Sequence, residues 1–251
     1  MYKSKYNSHM KKPLVSVIIP TYNRLEYLMQ AIESVLSQSY DQLEIIVVND
    51  GSIGDDYLNH KYSDKVKQIN LKVNQKSIHG YGPGSIRNFG IESSEGEWIA
   101  FLDDDDVWFD NKIEKQISSL LISGDEFCST DALIGNGRYD KKSSYPSFLN
   151  KFYYEKNKKL LYRNYFISRL KKLEYPEKFT KEFLTTLNPI ITSSVVIKKS
   201  LLVKLGGFRN LPYAADYDLW RAALQFTDCL FLNETLVYYD NSHGFGREYN
   251  K

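Results

Sequence analysis

The stretch Trp98-Ile99-Ala100-Phe101-Leu102-Asp103-Asp104-Asp105-Asp106 sets five apolar residues directly before four aspartates. A short, continuous apolar run is the pattern of a strand buried on both faces. Four carboxylates released together at its end repel one another and need a positive partner. Hard divalent cations such as Mg²⁺ or Mn²⁺ take oxygen ligands, commonly one or two carboxylates together with the phosphates of a substrate. The run therefore suggests a site that handles a diphosphate. A solvated acidic turn or a structural Ca²⁺ loop would use the same residues, and the run alone does not choose among them.

Upstream, Leu14-Val15-Ser16-Val17-Ile18-Ile19 is a second continuous strand, expected to end at Pro20. Asn23 and Glu26 have the spacing of a capping box, and Leu28, Ile32, Val35 and Leu36 recur with helical period. The next strand, Leu43-Glu44-Ile45-Ile46-Val47-Val48, is closed by the turn residues Asn49-Asp50-Gly51-Ser52. A weaker strand from Val66 to Val73 leads into Gly80-Tyr81-Gly82-Pro83-Gly84 and a short helix through Arg87 and Ile91. Alternating strands and helices, with strands continuously apolar, predict an α/β fold: a mostly parallel sheet with helices on both faces. Such sheets bind ligands outside the carboxyl ends of their strands. Thr21 to Arg24, Asp50 and Asp103 to Asp106 are thus expected to meet in one crevice.

The 251 residues are 42% hydrophobic and 25% charged, with a net charge of +2. That balance fits a soluble globular chain and argues against nucleic acid as a partner. Residues 1–12 read as a flexible tail without the apolar core of a secretory signal or anchor, so a cytoplasmic location is expected. Cys128 and Cys229 lack metal-ligand spacing and read as buried thiols. From Asp131 to Leu187 the sequence turns aromatic and lysine-rich; Lys151 to Lys181 holds ten basic residues against three acidic ones. That segment reads as a solvated helical insertion, or as a contact for a membrane surface or an acidic acceptor. A strand over Ile190 to Val196, a helix near Lys199 to Leu205, the turn Gly206-Gly207-Phe208, a helix from Ala215 to Phe226 and an apolar run from Cys229 to Tyr239 follow. With no repeat or linker, residues 13–240 are expected to form one domain, of a 13–130 half and a 131–240 half, before a flexible tail at 241–251.

Pro20-Thr21-Tyr22-Asn23-Arg24, Asn49-Asp50-Gly51-Ser52, Gly84-Ser85-Ile86-Arg87-Asn88-Phe89-Gly90, Leu102-Asp103-Asp104-Asp105-Asp106, Gly206-Gly207-Phe208 and Asp216-Tyr217-Asp218-Leu219-Trp220 occur in that order. Each motif alone is weak, but the ordered set resembles glycosyltransferase family 2 over about residues 13 to 240. The resemblance implies a GT-A fold whose nucleotide-sugar half, 13–130, is merged with an acceptor-binding half, 131–240. It also implies inverting transfer from a nucleotide diphosphate sugar, a UDP-sugar by preference, to a saccharide or glycoconjugate, with Mn²⁺ or Mg²⁺ as cofactor. Carried over residue by residue, it places Pro20, Thr21, Asn23, Asp50, His79, Arg87, Asp103 and Asp104 at the donor. Asp105 and His243 are the implied metal ligands and Asp216 the implied catalytic base. Asp50 is equally a good turn residue, Arg87 a helix-surface ion-pair partner, Asp216 a helix N-terminal carboxylate, and His79 and His243 surface histidines. Four adjacent aspartates also permit more than one ligand register. Two departures stand out: Ala215 where the family commonly has Glu, and Asp240 where it commonly has Arg before the C-terminal histidine. They leave open a non-catalytic sugar-nucleotide or glycan-binding protein on the same fold. A nucleotidyltransferase would carry a glycine-rich basic loop after its first strand, and Pro20 to Arg24 is not one.

Overall fold

A computed structural model describes residues 12–54, 57, 60, 62–80, 84–149 and 175–243. Strand β1 (Val15–Thr21) is buried along its whole length. It pairs in parallel with β2 (Leu43–Asn49) on one side and β4 (Trp98–Phe101) on the other, and β2 pairs in parallel with β3 (Val66–Asn70). Pro20 does not end β1. Leu102 donates its N–H to the Ile18 carbonyl at 3.1 Å, so even-numbered residues of β1 face β4, whose last paired residue lies opposite Ile18. The N–H that Pro20 lacks therefore falls beyond the end of that ladder, where a strand tolerates proline.

Beyond β4 the sheet becomes mixed. β8 (Val196–Lys198) runs antiparallel to both β4 and β6 (Phe127–Gly135), β6 runs parallel to β9 (Cys229–Asp240), and the two-residue strands β5 (Val107–Trp108) and β7 (Lys178–Phe179) run antiparallel to β9. The order is β3-β2-β1-β4-β8-β6-β9-β5, with β7 on β9 beside this path. The sheet is wholly parallel over β3-β2-β1-β4; beyond β4 only the β6–β9 pair is parallel.

Helices α1 (Leu25–Leu36), α2 (Gln75–His79), α3 (Gly84–Ser93), α4 (Lys112–Ser123), α5 (Lys181–Thr186), α6 (Lys199–Leu205) and α7 (Ala215–Ala223) join the strands. They cover both faces. Ile18, Phe101, Phe127, Phe208, Trp220 and Phe231 share one apolar cluster; Val17, Ile19, Val47, Trp108, Ile117 and Val237 share the other. Adjacent residues of β1 thus feed opposite cores, which is why its sequence shows no polar alternation.

Several sequence expectations are corrected. The Asn23/Glu26 capping box does not form: Arg24 is the N-cap of α1 with no side-chain cap, and Asn23 adopts a positive φ of 52°. Leu36 lies off the buried face of α1, 43% exposed. The strand expected at Ile190 to Val196 is instead a 3₁₀ turn, Thr192–Ser194, leading into the short β8. The nine-residue β6 was hidden by Asp131, whose buried carboxylate accepts the Ala132 and Leu149 N–H groups and the Ser147 hydroxyl at a strand irregularity. The basic stretch at 151–174 lies outside the described residues.

Candidate active site

The loops leaving β1 and β2 are tied together. Asp50 donates its N–H to the Thr21 carbonyl at 2.9 Å. The Asn23 N–H donates to the Ser52 hydroxyl at 2.9 Å, and the Asn23 side-chain oxygen accepts the Ile53 N–H at 3.2 Å. Asn23 therefore spends its carbonyl on the neighbouring loop rather than on α1. Pro20, Thr21 and Asn23 stand beside Asp50 at the carboxyl edge. Asp50 is buried, and its two oxygens accept the Gln75 N–H and the Asn74 amide, each at 2.8 Å. Burial pushes its pKa up to about 6, against the pull of the Gln75 N–H. Asn74 also caps α2 through the Ser77 N–H, and His79 is the last residue of that helix.

The aspartate run turns sharply, with the Asp106 N–H donating to the Asp103 carbonyl at 3.1 Å. Burial then alternates. The side chains of Asp103 and Asp105 remain 30% and 12% exposed, whereas Asp104 and Asp106 are each 1% exposed. Arg87 pairs with Asp103, and Arg24 forks to Asp104 at 2.5 Å and Asp105 at 2.7 Å. Asp104 thus faces inward onto Arg24. Asp106 accepts the backbone N–H of Asp240 at 2.8 Å, and Asp240 lies 2.9 Å from His243 Nδ1, which is 3.4 Å from Asp105. Crowding shows in the electrostatics. Burial pushes Asp104 up to about 7 and, with the neighbouring carboxylates, raises Asp106 well above the usual range. Burial acts the same way on Asp105, but the His243 hydrogen bond and the Arg24 charge outweigh it and leave Asp105 lowered.

Asp216 sits in the first turn of α7, where the helix dipole favours a carboxylate. Its oxygens accept the Thr192 hydroxyl at 3.2 Å and the Tyr217 N–H at 2.8 Å. The next residue of the 3₁₀ turn, Ser193, accepts the Asp103 N–H at 2.9 Å. One turn therefore links Asp216 to the aspartate run. The motifs around Arg87 interlock as well. The Asn88 amide donates to the Phe208 carbonyl at 2.8 Å and accepts the Phe208 N–H at 2.9 Å. A Cβ on Gly84 would come within 2.7 Å of the Ala215 methyl. Ala215 is buried against this helix, so its position faces the core rather than open solvent.

Two sets of side chains bring ligand atoms within 4.8 Å of one another: Asp105 with Asp240 and His243, and Asp103 with Asp105 and Asp106. Carboxylate oxygens with one imidazole suit a hard cation of the Mg²⁺ or Mn²⁺ class. The cysteines, both buried free thiols, belong to neither set.

Residues 16–173 match the family described as glycosyl transferase family 2. The chain belongs to glycosyltransferase family 2. An uncharacterised glycosyltransferase of Rickettsia typhi is 33% identical over 238 residues, covering 90% of this chain and 63% of that protein. The S. aureus TarS 1–349 structure in complex with UDP-GlcNAc superposes with a TM-score of 0.64 at 24% identity, covering 90% of this chain and 58% of that one. A mannosyltransferase from Pyrobaculum calidifontis in complex with GDP-Man and Mn²⁺ gives 0.62 at 16% identity, covering 95% and 60%. These likenesses bear out the GT-A α/β fold, and the family bears out the sugar-transferase class. This family 2 chain spans about three-fifths of the length of the relatives compared. Among its described residues no helix is long and apolar enough to cross a membrane.

Sequence reasoning placed Arg24 in the crevice without naming its partners, gave no role to Asn74, Thr192 or Ser193, and treated Asp240 only as a departure. The one local signal was Asp240 three residues before His243; the others act through contacts between distant segments.

Proposed function

We propose that this family 2 chain is the catalytic domain of a cation-dependent, inverting glycosyltransferase. It moves a sugar from a nucleotide diphosphate sugar, by preference a UDP-sugar, to a hydroxyl of a saccharide or glycoconjugate in the cytoplasm. The observation that carries this reading is the meeting of Asp50, Arg87, Asp103, Asp105 and Asp216 at one edge of the sheet. The UDP-GlcNAc bound to TarS supports a uridine donor. The GDP-Man and Mn²⁺ bound to the archaeal mannosyltransferase support the cation.

In this reading Asp50 accepts a base N–H, with Pro20, Thr21 and Asn23 framing the nucleoside and His79 nearby. Asp103 faces the ribose or a metal-bound water. Arg87, a fixed planar cation paired with Asp103, stands near the nucleotide or its phosphates. Asp104 acts from beneath by holding Arg24. Asp105 and His243 hold Mn²⁺ or Mg²⁺, which when bound offsets charge on the departing diphosphate. Asp216 takes the proton from the acceptor hydroxyl as its oxygen bonds to the anomeric carbon. The bond to the diphosphate breaks on the opposite face, its electron pair leaving with the diphosphate, so the product is inverted. Residues 13–240 form the domain, and 131–240 supply the acceptor side.

Calorimetric titration of UDP, GDP and dTDP, with and without Mn²⁺, tests the site on the wild type and Asp105→Ala. Mn²⁺-dependent binding of UDP that disappears in the variant is the expected result. Binding of a nucleotide without any turnover of its sugar conjugates would favour the non-catalytic reading, for which Ala215 and Asp240 are the motivating departures.

A further inference from the structure

We propose that Asp240 is itself a ligand of the catalytic cation, completing a face with Asp105 and His243; this rests on the cation-dependent reading above. Asp240 Oδ2 lies 2.9 Å from His243 Nδ1, and the same nitrogen lies 3.4 Å from Asp105 Oδ2. Bonds of about 2.1 Å at right angles around a cation separate neighbouring ligand atoms by roughly 3 Å. Both separations from His243 thus suit ligands of one ion, and the three residues bring ligand atoms within 4.8 Å of one another. Two carboxylates with one imidazole also make a donor set suited to a hard or borderline divalent cation.

The surroundings hold Asp240 for this task. Its Oδ1 accepts the N–H groups of Gly137 and Ser242 at 2.8 Å each and the Ser242 hydroxyl at 2.7 Å. Oδ2 is left with that hydroxyl at 2.9 Å and His243. The backbone N–H of Asp240 is fixed by Asp106, whose neighbour Val107 pairs with Tyr238 in the sheet. The aspartate run therefore positions the end of β9, and β9 returns a fifth carboxylate to the run. Arg24 and Arg87 already pair with Asp103, Asp104 and Asp105. Asp240 meets His243 instead.

The test is Mn²⁺ titration of the full chain with UDP present, followed by electron paramagnetic resonance, on the wild type, Asp105→Asn and Asp240→Asn. An amide oxygen at position 240 still accepts the Gly137 and Ser242 N–H groups, so the thermal midpoint without Mn²⁺ should stay near wild type. Mn²⁺ affinity should fall at least tenfold, in line with lost ligand or ligand-orienting groups elsewhere. Unchanged Mn²⁺ affinity in Asp240→Asn beside a loss in Asp105→Asn would overturn the role of Asp240 and leave the cation-dependent reading standing. A wild type that binds no Mn²⁺ with UDP would overturn both. Should Asp240→Asn fold poorly, anomalous scattering from wild-type crystals soaked in Mn²⁺ decides. An ion within about 2.5 Å of Asp240 Oδ2 supports the assignment, and one bound to Asp105 but beyond hydrogen-bond range of Asp240 refutes it.

Discussion

Asp50 is a carboxylate whose environment sets when it carries charge. Its burial raises the pKa to about 6, so between about pH 4 and 6 the folded chain keeps a proton that a solvated aspartate has released. Only the ionised form is a full acceptor for a base N–H. UDP affinity should therefore be highest above pH 6 and fall as pH drops through that value; a flat profile from pH 5 to 7.5 would remove Asp50 from the base-binding role. Charged hydrogen bonds contribute about 1.5–3 kcal/mol. Asp50→Asn should accordingly weaken UDP roughly ten- to hundredfold. Asp216 makes the complementary case. Asp216→Asn keeps an acceptor for the Thr192 hydroxyl but removes the base, so kcat should fall about 10²- to 10⁴-fold with donor affinity little changed. Steady-state kinetics beside donor calorimetry would separate the two. Equal losses in kcat and donor affinity would mean that Asp216 holds the donor instead.

At the scale of elements, the site is assembled by loops that fasten one strand end to the next. The turn after α6 shows how local strain and long-range contact combine. Gly206 and Gly207 both have positive φ, 76° and 70°, but a Cβ at Gly206 meets open space whereas one at Gly207 would come within 2.5 Å of Asn88 Oδ1. Gly206→Ala should cost only the left-handed strain, about 1–2 kcal/mol. Gly207→Ala should cost more, because it also displaces the Asn88 amide that clamps Phe208 beneath the Arg87 guanidinium. Urea denaturation of the two variants tests this; equal destabilisation would show that the clamp adds nothing. The same logic explains why the helix and strand limits read from sequence slipped where they did. Asn23 and Asp131 have the local character of cap and loop residues, yet each spends its side chain on a partner made available by the fold.

For the whole molecule, the packing of two cores against one sheet has a cost at Lys112. This lysine is fully buried in α4, 4.0 Å from the Trp108 ring centroid and hydrogen-bonded to Gln116 at 2.6 Å. Burial lowers its pKa from 10.5 to about 7. Between those values the unfolded chain holds a proton that the folded chain has released, so Lys112 makes stability rise with pH across that window. Below pH 7 both states are protonated and the cost of burying the charge is felt in full. Lys112→Met should abolish the lysine's share of the rise. Denaturant midpoints of wild type and variant at pH 7, 8 and 9 should converge or cross, and parallel lines would refute the assignment.

The sequence by itself determined the order of the parallel strands in the first half and of the helices after β1 and before β4, though not α2, together with the burial of β1, β2 and β4 on both faces and the placing of polar motifs at their carboxyl ends. Those features follow from apolar period and turn chemistry among near neighbours. Tertiary structure decided which carboxylates of the aspartate run face outward, that Arg24 meets Asp104 and Asp105, and that a 3₁₀ turn ties Asp103 to Asp216. It also decided that Asp240 returns to the run. The Arg24–Asp105 pair spans 81 residues and the Asp106–Asp240 bond spans 134. No local period encodes such separations. They arise because a mixed sheet turns β9 back beside β5, and charge and hydrogen-bond satisfaction then select the partners.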